Sequence, residues 1–248
     1  MADFNNYQNR MAQSRVQSGA MIDEGLRAYM LKVYNLMALG LAITGVAAFL
    51  TWQMAVADGQ LTAFGQLLYT SPLKWVVMLA PLAMVFFLSF RINSMSVAAA
   101  QTTFWVYAAL MGLSLSSIFL VFTGQSIVQT FFVTAASFGA LSLYGYTTKR
   151  NLSGFGSFLI MGLFGLIIAS LVNIFLQSSA MGFAISVIGV LIFAGLTAYD
   201  TQKIKEMYYD GDEVAVMGRK AIMGALTLYL DFVNLFTFLL QFLGNRNN

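Results

Sequence analysis

The stretch MGFAISVIGVLIFAGLTAYD, residues 181–200, decides the fold class of this chain. Residues 181–199 carry no charge, and about 20 apolar residues in a helix that rises 1.5 Å per residue cross about 30 Å of hydrocarbon. The stretch therefore predicts a membrane-spanning helix. It ends on Asp200, and a carboxylate in or beside the membrane requires an explanation.

The composition of the whole chain agrees with this prediction. Of 248 residues, 59% are hydrophobic and only 9% are charged, and the mean hydropathy is +0.75. A soluble domain carries about a quarter charged residues. The chain contains no cysteine and no histidine, which excludes disulfides, thiolate metal sites and every catalytic scheme that uses histidine.

Hydropathy predicts an all-α polytopic membrane protein with seven spanning helices inside a membrane domain of residues 31–243. The second span contains Pro81, where we expect a kink. Small residues four apart predict close helix packing: Gly112 with Ser116, Gly165 with Ala169, and Ala194 with Ala198. The predicted spans are 33–52, 75–90, 97–122, 127–147, 155–176, 181–199 and 221–243.

The ends of the chain and its basic residues predict an orientation. Residues 1–30 are polar and lack the apolar core of a signal peptide, so we expect a disordered tail before an uncleaved first helix; residues 244–248 form a short second tail. With the N-terminus in the cytoplasm, eleven of the 13 Lys and Arg residues lie on the inner side and only Lys74 and Arg246 outside. This predicts an N-in, C-out protein.

Two of the ten acidic residues fall within the predicted spans or at their ends, Asp200 and Asp231. Asp231 lies eleven residues after Lys220, about 16 Å into the membrane, with Thr227 and Asn234 on the same helical face. Two purely structural interpretations of these aspartates remain open: Asp200 pairs with Lys203 near the interface, or Asp231 is neutral and hydrogen-bonded inside the bundle. The functional reading is that the two carboxyls form a coupled pair.

Straight helices with these bounds place Asp231 about 10 Å deeper than Asp200. The two residues can meet only if the sixth helix extends further into the cytoplasm, or if the seventh begins before Ala221.

The stretches GLTAYDTQKIKEMY (195–208) and LYLDFVNLF (228–236) resemble the signature of the Bax inhibitor-1 family. The similarity extends over residues 30–243, and FTGQSIVQTF (122–131) and YGYTTKRNLSGFGSFL (144–159) resemble its bacterial branch. The resemblance implies a bundle with the seventh helix at its centre, in a bacterial inner membrane. It also implies a pH-sensitive calcium leak with Asp200 and Asp231 as its aspartate pair and Arg91 as their partner.

Calcium prefers six to eight oxygen ligands, and two aspartates supply at most four. We therefore expect a weak, transient calcium site and no tightly bound cofactor. Waters, backbone carbonyls or the side chains of Asn173, Gln177 and Asn234 would complete the shell, although Asn173 and Gln177 also fit helix–helix hydrogen bonding.

Two other functions fit parts of the sequence. An intramembrane aspartyl protease also needs two aspartates on adjacent helices, and Tyr199-Asp200 resembles the Tyr-Asp of presenilin-like proteases. However, Leu-Tyr-Leu precedes Asp231 where Gly-x-Gly is expected, so we do not predict an enzyme. Some bacterial members of the family are associated with an ATP-dependent membrane protease, and residues 1–30 could bind such a partner.

Overall fold

The computed structural model of the protein describes the backbone from Ala2 to Asn247 and the side chains from Asp23 to Asn247. It is a helical bundle with a two-stranded hairpin, β1 and β2, at one end. The elements are α1 (Ala2–Ala55), β1 (Val56–Ala57), β2 (Gln60–Leu61), α2 (Ala63–Tyr69), α3 (Leu73–Arg91), a 3₁₀ turn (Ile92–Ser94), α4 (Val97–Leu115), α5 (Ile118–Val121), α6 (Gly124–Thr147), α7 (Ser153–Leu176), α8 (Ser179–Glu206) and α9 (Val214–Leu243).

Seven segments of the described chain are long and apolar enough to cross a membrane, and each overlaps one predicted span. The differences in bounds that bear on the two aspartates are in the last two segments. The sixth extends to Glu206 at the end of α8, and the seventh begins at Val214, where α9 starts. Lys203 and Lys205 in the last turn of α8 stabilise its carboxyl end.

The first helix is longer than predicted. Residues 23–30 belong to α1, and Tyr29 and Met30 are buried, so the predicted disorder is wrong for this part. The aromatic rings of Tyr29 and Tyr208 lie 5.7 Å apart and join α1 to the loop between α8 and α9. The side chains of residues 1–22 lie outside the described residues, so their role stays a prediction.

The short segment after α9 closes one end of the bundle. The backbone of Asn245 accepts a hydrogen bond from Thr123 N at 3.0 Å, and Asn247 N donates to Val121 O at 2.9 Å. The side-chain amide of Asn247 donates to three carbonyls around the break between α5 and α6. The predicted C-terminal tail is therefore bound to the bundle over its described part.

Helix α9 lies at the centre of the bundle and contacts α1, α4, α6 and α8. Residues 224–226 and 231–233 are buried as runs of three consecutive residues. Because successive residues are about 100° apart around a helix, such runs cover most of its circumference. The other helices therefore surround α9, as the family resemblance implied.

Glycines allow close contact at several helix crossings. A Cβ at Gly112 would lie 2.5 Å from Thr44 O of α1, and one at Gly145 of α6 would lie 2.1 Å from Ala198 O of α8. By contrast, a Cβ at Gly165 would meet nothing within 4 Å. The predicted packing role is thus wrong for Gly165, which is exposed on α7.

We expect Gly145→Ala to destabilise the protein by about 1–3 kcal/mol, because the added methyl group would overlap a backbone carbonyl of α8. Gly139→Ala is the matched control, since Gly139 lies on the same helix and its Cβ would enter open space. Thermal unfolding in detergent measures both variants. Equal unfolding temperatures for the two would contradict this account of the α6–α8 contact.

Candidate functional site

The two predicted aspartates line the same cavity, which has a volume of about 570 Å³. Helices α7, α8 and α9 form its walls, and α3 contributes Leu82. Leu82, Ile167 and Leu171 are each about half exposed, so the cavity opens on the side of the bundle that lipid would cover. Its other lining residues are Ile160, Leu163, Leu166, Ser170, Ile174, Phe193, Leu196, Asp200, Thr227, Leu230, Asp231, Asn234 and Phe238.

The extended ends of α8 and α9 explain how the two carboxyls meet. Both conditions stated for their meeting are fulfilled, since α8 continues to Glu206 and residues 214–220 are already helical. Lys220 holds the loop between these helices, because its Nζ donates to Met207 O at 2.9 Å and pairs with Asp212 Oδ2 at 2.5 Å. In this arrangement the carboxyl groups of Asp200 and Asp231 come together at the cavity.

A hydrogen bond between two carboxyl groups requires a proton, because two ionised carboxylates have no donor between them. Asp231 is only 4% exposed, and its Oδ2 has no hydrogen-bond partner among the described residues. A buried carboxylate without a partner is strongly unfavourable in hydrocarbon. Two neighbouring carboxyls in such a place favour one shared proton over two charges.

The alternative pairing of Asp200 with Lys203 does not form. Lys203 Nζ lies 5.8 Å from the ring centroid of Tyr199, on the preceding turn of α8. Among the residues with described side chains, Lys220–Asp212 is the one ion pair within 4 Å. Asp200 thus faces Asp231, and Lys203 acts on it only as a more distant charge.

Three neutral polar residues complete the cavity wall. The side chains of Thr227, Asn234 and Ser170 each donate a hydrogen bond to a carbonyl four residues earlier in their own helix. Their side-chain oxygens keep unused lone pairs. Thr227 and Asn234 were predicted beside Asp231, whereas Ser170 was missed, although a lone serine in the apolar run GLIIASLVN was a signal.

The structure places the other three predicted residues away from the pair. Arg91 lies at the end of α3 with an exposed side chain, and it does not line the cavity. Asn173 and Gln177 lie where α7 ends: Asn173 Oδ1 accepts a bond from Ser178 N, and Gln177 has a φ of 50°. None of the three therefore lines the cavity of the pair: a charged residue at a helix end stays in water, and polar residues there terminate the helix.

The donor set suits a weak site for a hard cation. No group of three or more Asp or Glu side chains that could hold a metal ion occurs among the described residues. The cavity offers two carboxyls together with the hydroxyl and amide oxygens of Ser170, Thr227 and Asn234. Oxygen ligands fit calcium, but so few of them cannot form a tight cage.

Comparisons with known proteins agree with the fold. Residues 26–248 match the family model described as "Inhibitor of apoptosis-promoting Bax1". A protein of Rickettsia prowazekii, RP147, is 51% identical over 226 residues, which cover 91% of this chain and 93% of the relative. The inner membrane protein YbhL of Escherichia coli K12 is 49% identical over 225 residues, or 90% of this chain and 93% of YbhL. With a bundle of seven spanning helices, a central last helix and these matches, the chain belongs to the Bax inhibitor-1 family of integral membrane proteins.

Proposed function

We propose that this protein is a pH-sensitive calcium leak whose gate is the pair Asp200–Asp231. The observation that carries the proposal is the meeting of these two carboxyls at a cavity between α7, α8 and α9. Membership of the Bax inhibitor-1 family supports a role of the pair in the membrane.

The pair can act as a switch because its proton holds α8 against α9. When the proton leaves, two like charges face each other in a poorly solvated place and repel. That repulsion favours separation of the helices, and a calcium ion between the carboxylates stabilises the ionised form. Calcium and the proton therefore compete for the same oxygens.

The helix backbone favours transport over hydrolysis. Both aspartates lie on uninterrupted helices. The peptide carbonyls of an intact substrate helix are hydrogen-bonded, so a protease must bind its substrate in an unwound form. An unwound substrate can pair with a strand of the enzyme, and no strand lies beside the two aspartates in the described chain. The role of an ATP-dependent membrane protease as partner rests on residues 1–22, whose side chains are not described.

The same proposal includes an N-in, C-out orientation in a bacterial inner membrane. The name of YbhL places that relative in the inner membrane. The basic residues at the ends of α3, α6 and α8, which include Arg91, Lys149 and Lys205, favour a cytoplasmic location for that end of the bundle. The leak would then be gated from the cytoplasmic half of the membrane.

We expect Asp231→Asn to abolish the pH dependence of calcium flux, because the amide neither titrates nor repels its partner. Flux is measured in proteoliposomes with an enclosed calcium indicator, from mildly acidic to mildly alkaline pH. Wild-type flux should change by up to about tenfold per pH unit, the limit for one titrating proton. Asp210→Asn, in the exposed loop between the same helices, is the matched control and should behave as wild type. Wild-type pH dependence in Asp231→Asn would refute the gate.

We expect the shared proton to give an infrared carbonyl band of a neutral carboxyl group in the calcium-free protein at neutral pH. Added calcium should reduce the band, and higher pH should increase the affinity for calcium, because the ion and the proton compete. The band should be absent in Asp231→Asn and unchanged in Asp210→Asn. Its persistence in Asp231→Asn would assign it to another group and contradict the pair.

Orientation can be tested directly because the chain has no cysteine. Lys149→Cys and Lys74→Cys each introduce one exposed thiol, near opposite ends of the bundle. In intact cells, an impermeant maleimide should label the cysteine at 74 and leave that at 149 unlabelled until the membrane is opened. The reverse pattern would overturn the proposed orientation.

A further inference from the structure

A second cavity, of about 530 Å³, lies between α1 and α6, and neither aspartate lines it. We call it the α1/α6 groove. Its lining is almost entirely apolar and includes Met30, Leu31, Met37, Phe138 and Leu143. Leu31 and Leu143 are 50% and 62% exposed, so the groove is open along the side of the bundle.

The length of the groove matches one leaflet of a bilayer. It extends along α1 from Arg27 to Met37, which is about 15 Å at helical rise. The hydrocarbon core of a bilayer is about 30 Å thick, so one leaflet contributes about half of that. An acyl chain that enters at the Arg27 end would therefore end near the middle of the membrane.

Two basic side chains, those of Arg27 and Lys205, lie at the entrance of the groove. The exposed side chain of Arg27 forms no ion pair with a described carboxylate. Across the groove, Lys205 Nζ lies 5.3 Å from the ring centroid of Tyr146 and donates to the carbonyl of Tyr146 at 2.8 Å. Guanidinium groups bind phosphate with two parallel hydrogen bonds, and each basic residue near the surface strengthens binding of anionic lipid.

The hydroxyl groups of Tyr34 and Ser142 in the wall of the groove offer no donor to an occupant. Thr201 Oγ1 donates to Thr197 O at 2.7 Å, so Ser142 must donate to Thr201 and Tyr34 to Ser142. The hydroxyl hydrogens of Tyr34, Ser142 and Thr201 are therefore all used. A polar segment of another protein finds no donor at Tyr34 or Ser142, whereas a hydrocarbon chain needs none.

We infer that the α1/α6 groove binds one anionic glycerophospholipid, with an acyl chain in the groove and its phosphate at Arg27. The charge at the entrance selects the headgroup, and the apolar wall holds the chain. The site is separate from the aspartate pair, so it stands independently of the calcium proposal.

The purified protein in detergent is titrated with phosphatidylglycerol, or with phosphatidylcholine of the same acyl chains, and bound lipid is counted by native mass spectrometry. We expect one phosphatidylglycerol to be retained in preference to phosphatidylcholine. Arg27→Gln should lower the affinity for phosphatidylglycerol about fivefold, the factor that one basic residue contributes. Gly139→Leu should weaken the binding of both lipids, because Gly139 lines the groove and the leucine side chain would occupy the open space at its Cβ position.

Two matched controls separate the site from general effects. Lys32→Gln removes an exposed charge from α1 outside the groove, and Gly165→Leu adds the same side chain at an open position on α7. Both should retain lipid as wild type does. The inference is overturned if wild type retains the two lipids equally or if Arg27→Gln behaves as Lys32→Gln. The inference is also overturned if the protein forms dimers and Gly139→Leu disrupts them, because a second copy of the protein would then cover the groove.

Discussion

Asp231 lies deep in a membrane protein on a helix with almost no face toward lipid, and the rest of the bundle depends on that position. A charged carboxylate at the centre of a bilayer costs at least about 2.5–3.5 kcal/mol. The cost is reduced because the helices around α9 exclude lipid and because Asp200 and the polar side chains of Thr227 and Asn234 line the same cavity. The glycine contact between α6 and α8 holds the helix that carries Asp200.

Hydropathy predicted the parts of the structure that lipid determines. All seven spans and both aspartates were identified, because an apolar run interrupted by a carboxylate is a strong signal in hydrocarbon. The helix ends could not be predicted in the same way. Residues 201–206 and 214–220 are helical although they are polar or mixed, since capping charges and packing against neighbours stabilise them there.

Prediction of the site was less complete for a related physical reason. A sequence gives the depth of a residue in the membrane but not which helices adjoin it. Arg91 has the right charge to accompany two aspartates, yet it lies at the end of α3 with an exposed side chain. Ser170 resembles an ordinary small residue in the sequence, and the packing of α7 on α8 brings its hydroxyl to the cavity.

Helix α8 connects the two cavities through consecutive residues. Asp200 lines the cavity of the pair, and Thr201 reaches the wall of the α1/α6 groove through Ser142. Consecutive residues on a helix point about 100° apart, so one helix can carry a polar group on each of two faces. Thr201 is tolerated in the bundle because its hydrogen is bonded to its own backbone.

Hydrogen bonds within the helices also determine whether the cavity around the pair suits an anion or a cation. Ser170, Thr227 and Asn234 donate to their own helices and leave oxygen lone pairs available. The two carboxyls contribute further oxygens. An anion would find almost no donor in this cavity, whereas a cation would find oxygens from α7, α8 and α9. Because most of these oxygens are neutral and Asp200 and Asp231 are the one pair of carboxyls there, the attraction is weak enough for an ion to leave again.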